Sequence, residues 1–158
     1  MFNMDFKSFP PHFSKAELTN TSTGLPNVPS SVCLGHLRSL AWVLESIRSH
    51  VGKPLIINSA YRSREVNARV GGVNTSFHLV GSAADISIRN LNPHDRAILE
   101  EQIVAHHACE FIKYDTFWHV AFDFSRLAIS RMPLTFQEEF PDCYVPLEVL
   151  HGSEDVDL

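Results

Sequence analysis

The chain lacks several features that would place it in a common class of protein. Its 158 residues contain no apolar run that approaches the ~18 residues of a membrane span. No basic stripe interleaved with aromatic residues is present, so nothing suggests nucleic acid as a partner. The three cysteines form no CxxC pair, and buried free thiols are the simplest interpretation of them. We find no internal repeat and no low-complexity block.

We also expect no secretory signal, because residues 1–7 show no basic start followed by an apolar stretch. We therefore expect the protein to be made in the cytoplasm. If its target lies outside, another route must deliver it. We expect a monomer.

Positive charge is absent from the C-terminal stretch. Residues 137–158 hold seven acids and no Lys or Arg, although the net charge of the whole chain is only −5. The preceding 136 residues hold 13 basic and 11 acidic side chains, so they are nearly neutral. A chain of this length, with 44% hydrophobic residues, suits one core and is too short for two. We expect one domain over residues 1–126 and a partly disordered acidic extension over residues 127–158.

Hydrophobic periodicity predicts helices and short strands in alternation. Helices are expected just after Ser14 and over residues 31–50, 64–70 and 93–107. Strands are expected at residues 55–57 and 83–88, and the first of these is typical of a buried strand. A hairpin is expected to pair residues 109–114 with 118–124. This pattern predicts an α+β fold, with a small and mostly antiparallel sheet flanked by helices.

Three residues have the chemistry of a catalytic zinc site. His78 is followed seven residues later by Asp85, and far downstream by His119. Three protein ligands leave the fourth position of a zinc ion open for water. Small residues at 81–84 leave space for an ion and let the chain turn between the first two ligands. The alternative is a loop histidine, a strand-edge acid and a core histidine that never meet.

Around these residues, the following motifs appear in order: Phe13–Leu18, Asn27–Pro29, Gly52–Leu55, Asn58–Ser63, Asn67, Gly71–Val73, Ser76–His78, Gly81, Ala83–Asp85 and Trp118–Val120. Together they resemble the zinc D-alanyl-D-alanine carboxypeptidase family. The resemblance covers about residues 10–124, and the block SxHxxGxAxD is its most specific part. The family includes cell-wall carboxypeptidases, D-alanyl-D-alanine dipeptidases and phage endolysins, and it shares its fold with the hedgehog signalling domain. The short chain looks most like the small members that bacteriophages encode.

This resemblance implies Zn²⁺ as the cofactor and His78, Asp85 and His119 as its ligands. It also implies that Arg62 binds substrate or stabilises the oxyanion. A guanidinium suits either role because its donors form a fixed fork. The alternative for Arg62 is a surface arginine that follows a strand. Ser76 either binds substrate through its hydroxyl or caps a turn.

The general base departs from the family pattern. Many members carry Glu three residues before the last zinc histidine, where this chain has Thr116, which cannot accept the proton. Other members carry the acid at the end of the preceding strand, and Asp115 falls near that place. Asp115 is therefore the first candidate for the base, with an ordinary turn residue as the alternative. Glu110, at the start of that strand, is the second candidate.

The leading hypothesis is a zinc peptidase that hydrolyses D-alanyl peptide bonds of peptidoglycan stem peptides, as a carboxypeptidase or an endopeptidase. The missing glutamate motivates a second hypothesis. In that reading, the protein is a catalytically impaired, zinc-containing module that binds cell-wall peptide or a protein partner. The fold permits this because the hedgehog branch is not enzymatic.

Overall fold

The computed structural model describes residues 8–124. The predicted boundary at residue 126 and the acidic extension lie outside the described residues. Within them, no helix combines the length and the apolar character needed to cross a membrane.

Four α-helices and four strands make up the described part of the chain. The helices are α1 Lys15–Leu18, α2 Ser31–Val51, α3 Arg64–Arg69 and α4 Pro93–Ala105. The strands are β1 Ile56–Ser59, β2 Ala83–Ser87, β3 Glu110–Lys113 and β4 Phe117–Ala121. A short 3₁₀ helix, Phe77–Val80, precedes β2. The structure therefore has the predicted α+β class.

The strands form one antiparallel sheet in the order β1-β2-β4-β3. In the β2–β4 ladder Asp85 lies directly opposite His119. Cross-strand partners point to the same face of a sheet, and neighbours along a strand point to opposite faces. The register therefore puts both candidate ligands on one face, away from Ile86 and Val120.

The other face of the sheet belongs to the hydrophobic core. Ile86 and Val120 are fully buried there in a cluster with the apolar faces of α2 and α4. The helix α2 is well defined at both ends, since the Ser30 hydroxyl accepts from the Cys33 amide and Gly52 closes it in a left-handed conformation. The sheet thus rests on helices on one side and presents polar residues on the other.

Strand β1 differs from its prediction as a buried strand. It begins at Ile56, runs to Ser59, and forms one edge of the sheet. Because an edge strand has a neighbour on one side only, its burial is incomplete, and Ile56 is 49% exposed. A run of apolar residues alone does not distinguish an edge strand from a central one.

Gly81 ends the 3₁₀ helix in a conformation that favours glycine. Its φ is +80°, and a Cβ built on it would lie 2.6 Å from the Cys33 carbonyl oxygen in α2. A left-handed residue with a side chain costs ~1–2 kcal/mol, and overpacking adds about 1–3 kcal/mol. We expect Gly81→Ala to lower the free energy of unfolding by at least about 2 kcal/mol.

Chemical denaturation of the two proteins would measure this difference. Gly35→Ala is the matched control, because a Cβ there meets no atom within 4 Å. An unfolding free energy for Gly81→Ala equal to that of the parent would contradict the close approach of Gly81 to α2.

Candidate metal centre

The three predicted ligands meet in the structure. Ligand atoms of His78, Asp85 and His119 all lie within 4.8 Å of one another, and no other group of this kind occurs among residues 8–124. His78 comes from the 3₁₀ helix, Asp85 from β2 and His119 from β4. The sequence prediction that these residues share one site therefore agrees with the geometry.

Local turns bring His78 to the sheet. The Ser76 hydroxyl accepts a hydrogen bond from the His78 amide, which caps the 3₁₀ helix at its start. At its end, Gly81 reverses the chain, and the Ser82 amide donates to the carbonyl of Phe77. The seven-residue spacing between His78 and Asp85 is therefore one helical turn, one reversal and the entry into β2.

One oxygen of Asp85 faces both histidines. Its Oδ1 lies 3.2 Å from Nε2 of His78 and 2.9 Å from Nδ1 of His119. The other oxygen, Oδ2, accepts from Nη2 of Arg62 at 3.1 Å. The two oxygens of the carboxylate thus have different partners: one faces the histidines, and the other faces a guanidinium.

The donor set fits zinc. Two imidazole nitrogens and one carboxylate oxygen are a normal catalytic set, which leaves a fourth position open. Donor atoms bound at ~2.0–2.1 Å around a tetrahedral ion lie roughly 3.3 Å apart. The distances of 3.2 and 2.9 Å from Asp85 Oδ1 to the histidine nitrogens are close to that spacing.

A second hydrogen bond orients each histidine. His78 Nδ1 lies 2.6 Å from the carbonyl oxygen of Ala60, which can only accept, so Nδ1 is a donor and Nε2, which faces Asp85, is the nitrogen left to bind an ion. His119 Nε2 lies 3.2 Å from Oε1 of Glu110. A carboxylate on the outer nitrogen likewise leaves Nδ1 of His119 as the ligand atom.

The electrostatics of the site follow from burial and these contacts. Burial alone would raise the pKa of Asp85, but hydrogen bonds from His119 and His78 hold it well below its ordinary value. Burial acts to lower the pKa of His119, yet its hydrogen bonds to Asp85 and Glu110 raise it above the ordinary value. Metal binding must displace that proton, so affinity for a metal falls as the pH falls.

The other predicted site residues occupy different positions. Arg62 borders the centre through its contact with Asp85, and its side chain is 16% exposed. Ser76 is half-buried, and its hydroxyl caps the turn, which was one of its two predicted roles. Asp115 lies exposed in the turn between β3 and β4, and within residues 8–124 no hydrogen bond or ion pair joins it to another residue.

Sequence reasoning missed the contacts around the ligands. Glu110 was considered only as a base, whereas the structure shows it against His119. Its position gave a signal, since Ile112 lies opposite His119 and Glu110 is two residues earlier on the same face. The carbonyl of Ala60 gave no signal, because every residue carries the same backbone acceptor.

Comparison with known proteins adds a family. A family model described as Peptidase M15 matches residues 11–121, a range that includes all three candidate ligands. The zinc D-Ala-D-Ala carboxypeptidase of Streptomyces albus G is 32% identical over 80 residues. The aligned part is 49% of this chain and 31% of that relative, so the chain matches about a third of the relative's length.

The contact between Glu110 and His119 predicts a change in proton affinity. Because the Glu110 carboxylate favours protonated His119, Glu110→Ala should lower the pKa of His119 in the metal-free protein. A nuclear magnetic resonance titration of the imidazole would measure this. Glu101→Ala, on the exposed side of α4, should leave the pKa of His119 unchanged. An equal pKa in the Glu110→Ala protein would contradict the contact.

Proposed function

The chain belongs to the peptidase M15 family, and on that basis we propose that it is a zinc-dependent peptidase acting on D-alanyl peptide bonds of peptidoglycan stem peptides. The observation that carries the proposal is the convergence of His78 and His119 on one oxygen of Asp85. The name of the Streptomyces relative supports both the metal and the substrate class.

His78, Asp85 and His119 would hold the ion. When bound there, zinc supplies a water of lowered pKa and polarises the scissile carbonyl. Neighbouring residues decide which atoms of the three side chains are left to bind the ion. The Ala60 carbonyl and Glu110 fix which nitrogen of each ring is free, and Arg62 occupies the second oxygen of Asp85.

Arg62 and Ser76 are the proposed contacts to substrate. A guanidinium has five N–H donors, and Arg62 uses three of them, on Ser59, Asn67 and Asp85. Two donors are left for a developing oxyanion or a terminal carboxylate. The Ser76 hydroxyl accepts from the His78 amide and retains its own proton to donate to substrate.

A carboxylate must take the proton from the attacking water. Glu110 is engaged on Nε2 of His119, the ring nitrogen that faces away from Asp85, so the imidazole separates it from the proposed ion. Asp115 remains the first candidate for the base by its place in the sequence, and it lies in the exposed hairpin turn, three residues beyond Ile112, which is opposite His119.

The carboxylates next to the two histidines support a second candidate function. Among residues 8–124, the only carboxylates in contact with the two histidines are the ligand Asp85 and the orienting Glu110. A centre without a base would bind zinc and peptide without turnover. The second proposal is therefore a catalytically impaired module that binds cell-wall peptide or a protein partner.

The first proposal also concerns the type of cleavage, the origin of the protein and its route to the wall. A carboxypeptidase removes a terminal alanine, and an endopeptidase cuts a cross-link; either reaction would suit an endolysin-like protein encoded by a phage. In that setting the protein is made in the infected cell and acts on the wall after delivery. The monomeric state stays a prediction.

Zinc-loaded protein should change muropeptides, and a chelated sample should not. Mass spectrometry after incubation with pentapeptide monomers and cross-linked dimers would measure the products. Loss of one alanine from monomers indicates a carboxypeptidase, and conversion of dimers to monomers indicates an endopeptidase. We expect His78→Ala to abolish the change and the exposed His94→Ala to retain it. Hydrolysis by metal-free His78→Ala protein would contradict the mechanism.

Two isosteric substitutions test the base. Asp115→Asn should keep zinc and lower turnover by about 100-fold or more, because a general base contributes ~10²–10⁴-fold. Glu110→Gln should have a smaller effect, since the amide oxygen can still accept from Nε2 of His119. Turnover and bound zinc would be measured in both proteins. Normal turnover in Asp115→Asn would remove Asp115 as the base.

A further inference from the structure

Arg62 is held on three sides before any substrate is present. Its Nε donates to the Ser59 hydroxyl at 3.0 Å, Nη1 lies 3.4 Å from Oδ1 of Asn67, and Nη2 donates to Oδ2 of Asp85 at 3.1 Å. A guanidinium is planar, so three contacts at three corners fix both its position and its plane. The hydrogen bond to Asp85 links Arg62 directly to the candidate metal centre.

The contact with Asp85 has a consequence for a metal ion. Both histidines approach Oδ1, and Arg62 occupies Oδ2. An oxygen that accepts from a guanidinium is less available to an ion, so the carboxylate would present Oδ1 alone. Outer partners of this kind orient metal ligands and affect metal affinity.

Asn67 fixes the far side of Arg62. Its side chain is almost fully buried, its Oδ1 faces Arg62, and its Nδ2 donates to the Val73 carbonyl at 3.0 Å. The Gly72 amide in turn donates to the Asn67 carbonyl. Asn67 therefore connects Arg62 to the turn that follows α3.

Gly72 leaves the space in which the Asn67 amide lies. A Cβ built on Gly72 would fall 2.0 Å from Oδ1 and 2.7 Å from Cγ of Asn67. Any side chain at Gly72 must therefore displace an amide that is hydrogen-bonded at both ends. This gives a packing reason for the glycine, independent of backbone conformation.

We propose that Arg62 is a positioning residue of the metal centre, and that Asn67, seated against Gly72, fixes Arg62 so that Asp85 presents one oxygen to the ion. Asn67 and Gly72 thus act on the metal without touching it. The inference rests on the proposed zinc binding, and it gives Arg62 a role that does not require substrate.

Zinc affinity, measured by competition with a chelating dye, tests the proposal without any peptidase assay. Outer-shell substitutions typically weaken metal binding by about 10–100-fold. We expect a loss of about 10-fold or more in Arg62→Lys, which keeps the charge but lacks the fork, and in Asn67→Ala. The absorption spectrum of the cobalt-substituted protein should shift in both, because it reports on the ligand set. An Arg62 that serves substrate alone predicts zinc affinity and a cobalt spectrum equal to those of the parent.

Gly72→Ala distinguishes an effect passed through Asn67 and Arg62 to Asp85 from a general loss of stability. We expect it to weaken zinc binding about 10-fold, whereas Gly35→Ala, the same change in open space, should not. If Gly72→Ala acts by displacing Asn67, the double variant with Asn67→Ala should bind zinc no more weakly than Asn67→Ala alone. Circular dichroism would confirm that each metal-free variant is folded.

The outcomes distinguish the two proposals. A parent protein that binds no zinc overturns the proposed function. A parent that binds zinc, with Arg62→Lys and Gly72→Ala within about twofold of it, overturns the positioning role and leaves the proposed function standing. If Asn67→Ala fails to fold, Arg62→Lys and Gly72→Ala still decide the question.

Discussion

The carboxylate of Asp85 is the interaction on which the site depends. It is buried in β2, one of the two inner strands of the sheet, where an unpaired charge would be costly. His78 and His119 approach one oxygen, and Arg62 holds the other. Because all three partners converge on one side chain, its loss would leave His78 and Arg62 without this negative charge and His119 with the Glu110 carboxylate alone.

Ordinary strand pairing and helix packing bring these side chains together. Antiparallel pairing of β2 with β4 places Asp85 and His119 opposite each other, while Ile86 and Val120 on the reverse face belong to the core. Packing against α2 and α4 therefore fixes the backbone that carries two candidate ligands. The third candidate, His78, is added by a short helix whose ends are set by local capping.

The meeting of His78, Asp85 and His119 could be predicted from the sequence, because residue type, spacing and motif context all pointed to the same three side chains. The α+β class could also be predicted, since the helical and strand periodicities are distinct. The contacts of Asn67 and the Ala60 carbonyl could not, because they depend on loop conformation. The contact of Glu110 with His119 follows only once the register of β3 against β4 is known. The exposure of β1 was missed for a similar reason, as strand order is not encoded in a run of apolar residues.

X-ray absorption at the zinc edge of the zinc-loaded protein tests the central claim most directly. Coordination by His78, Asp85 and His119 predicts scattering from two imidazoles and a carboxylate oxygen, with no sulfur in the first shell. The His78→Ala protein should lose one imidazole contribution or the ion itself. Sulfur ligation, or an unchanged imidazole count in His78→Ala, would contradict the assignment of zinc to this site.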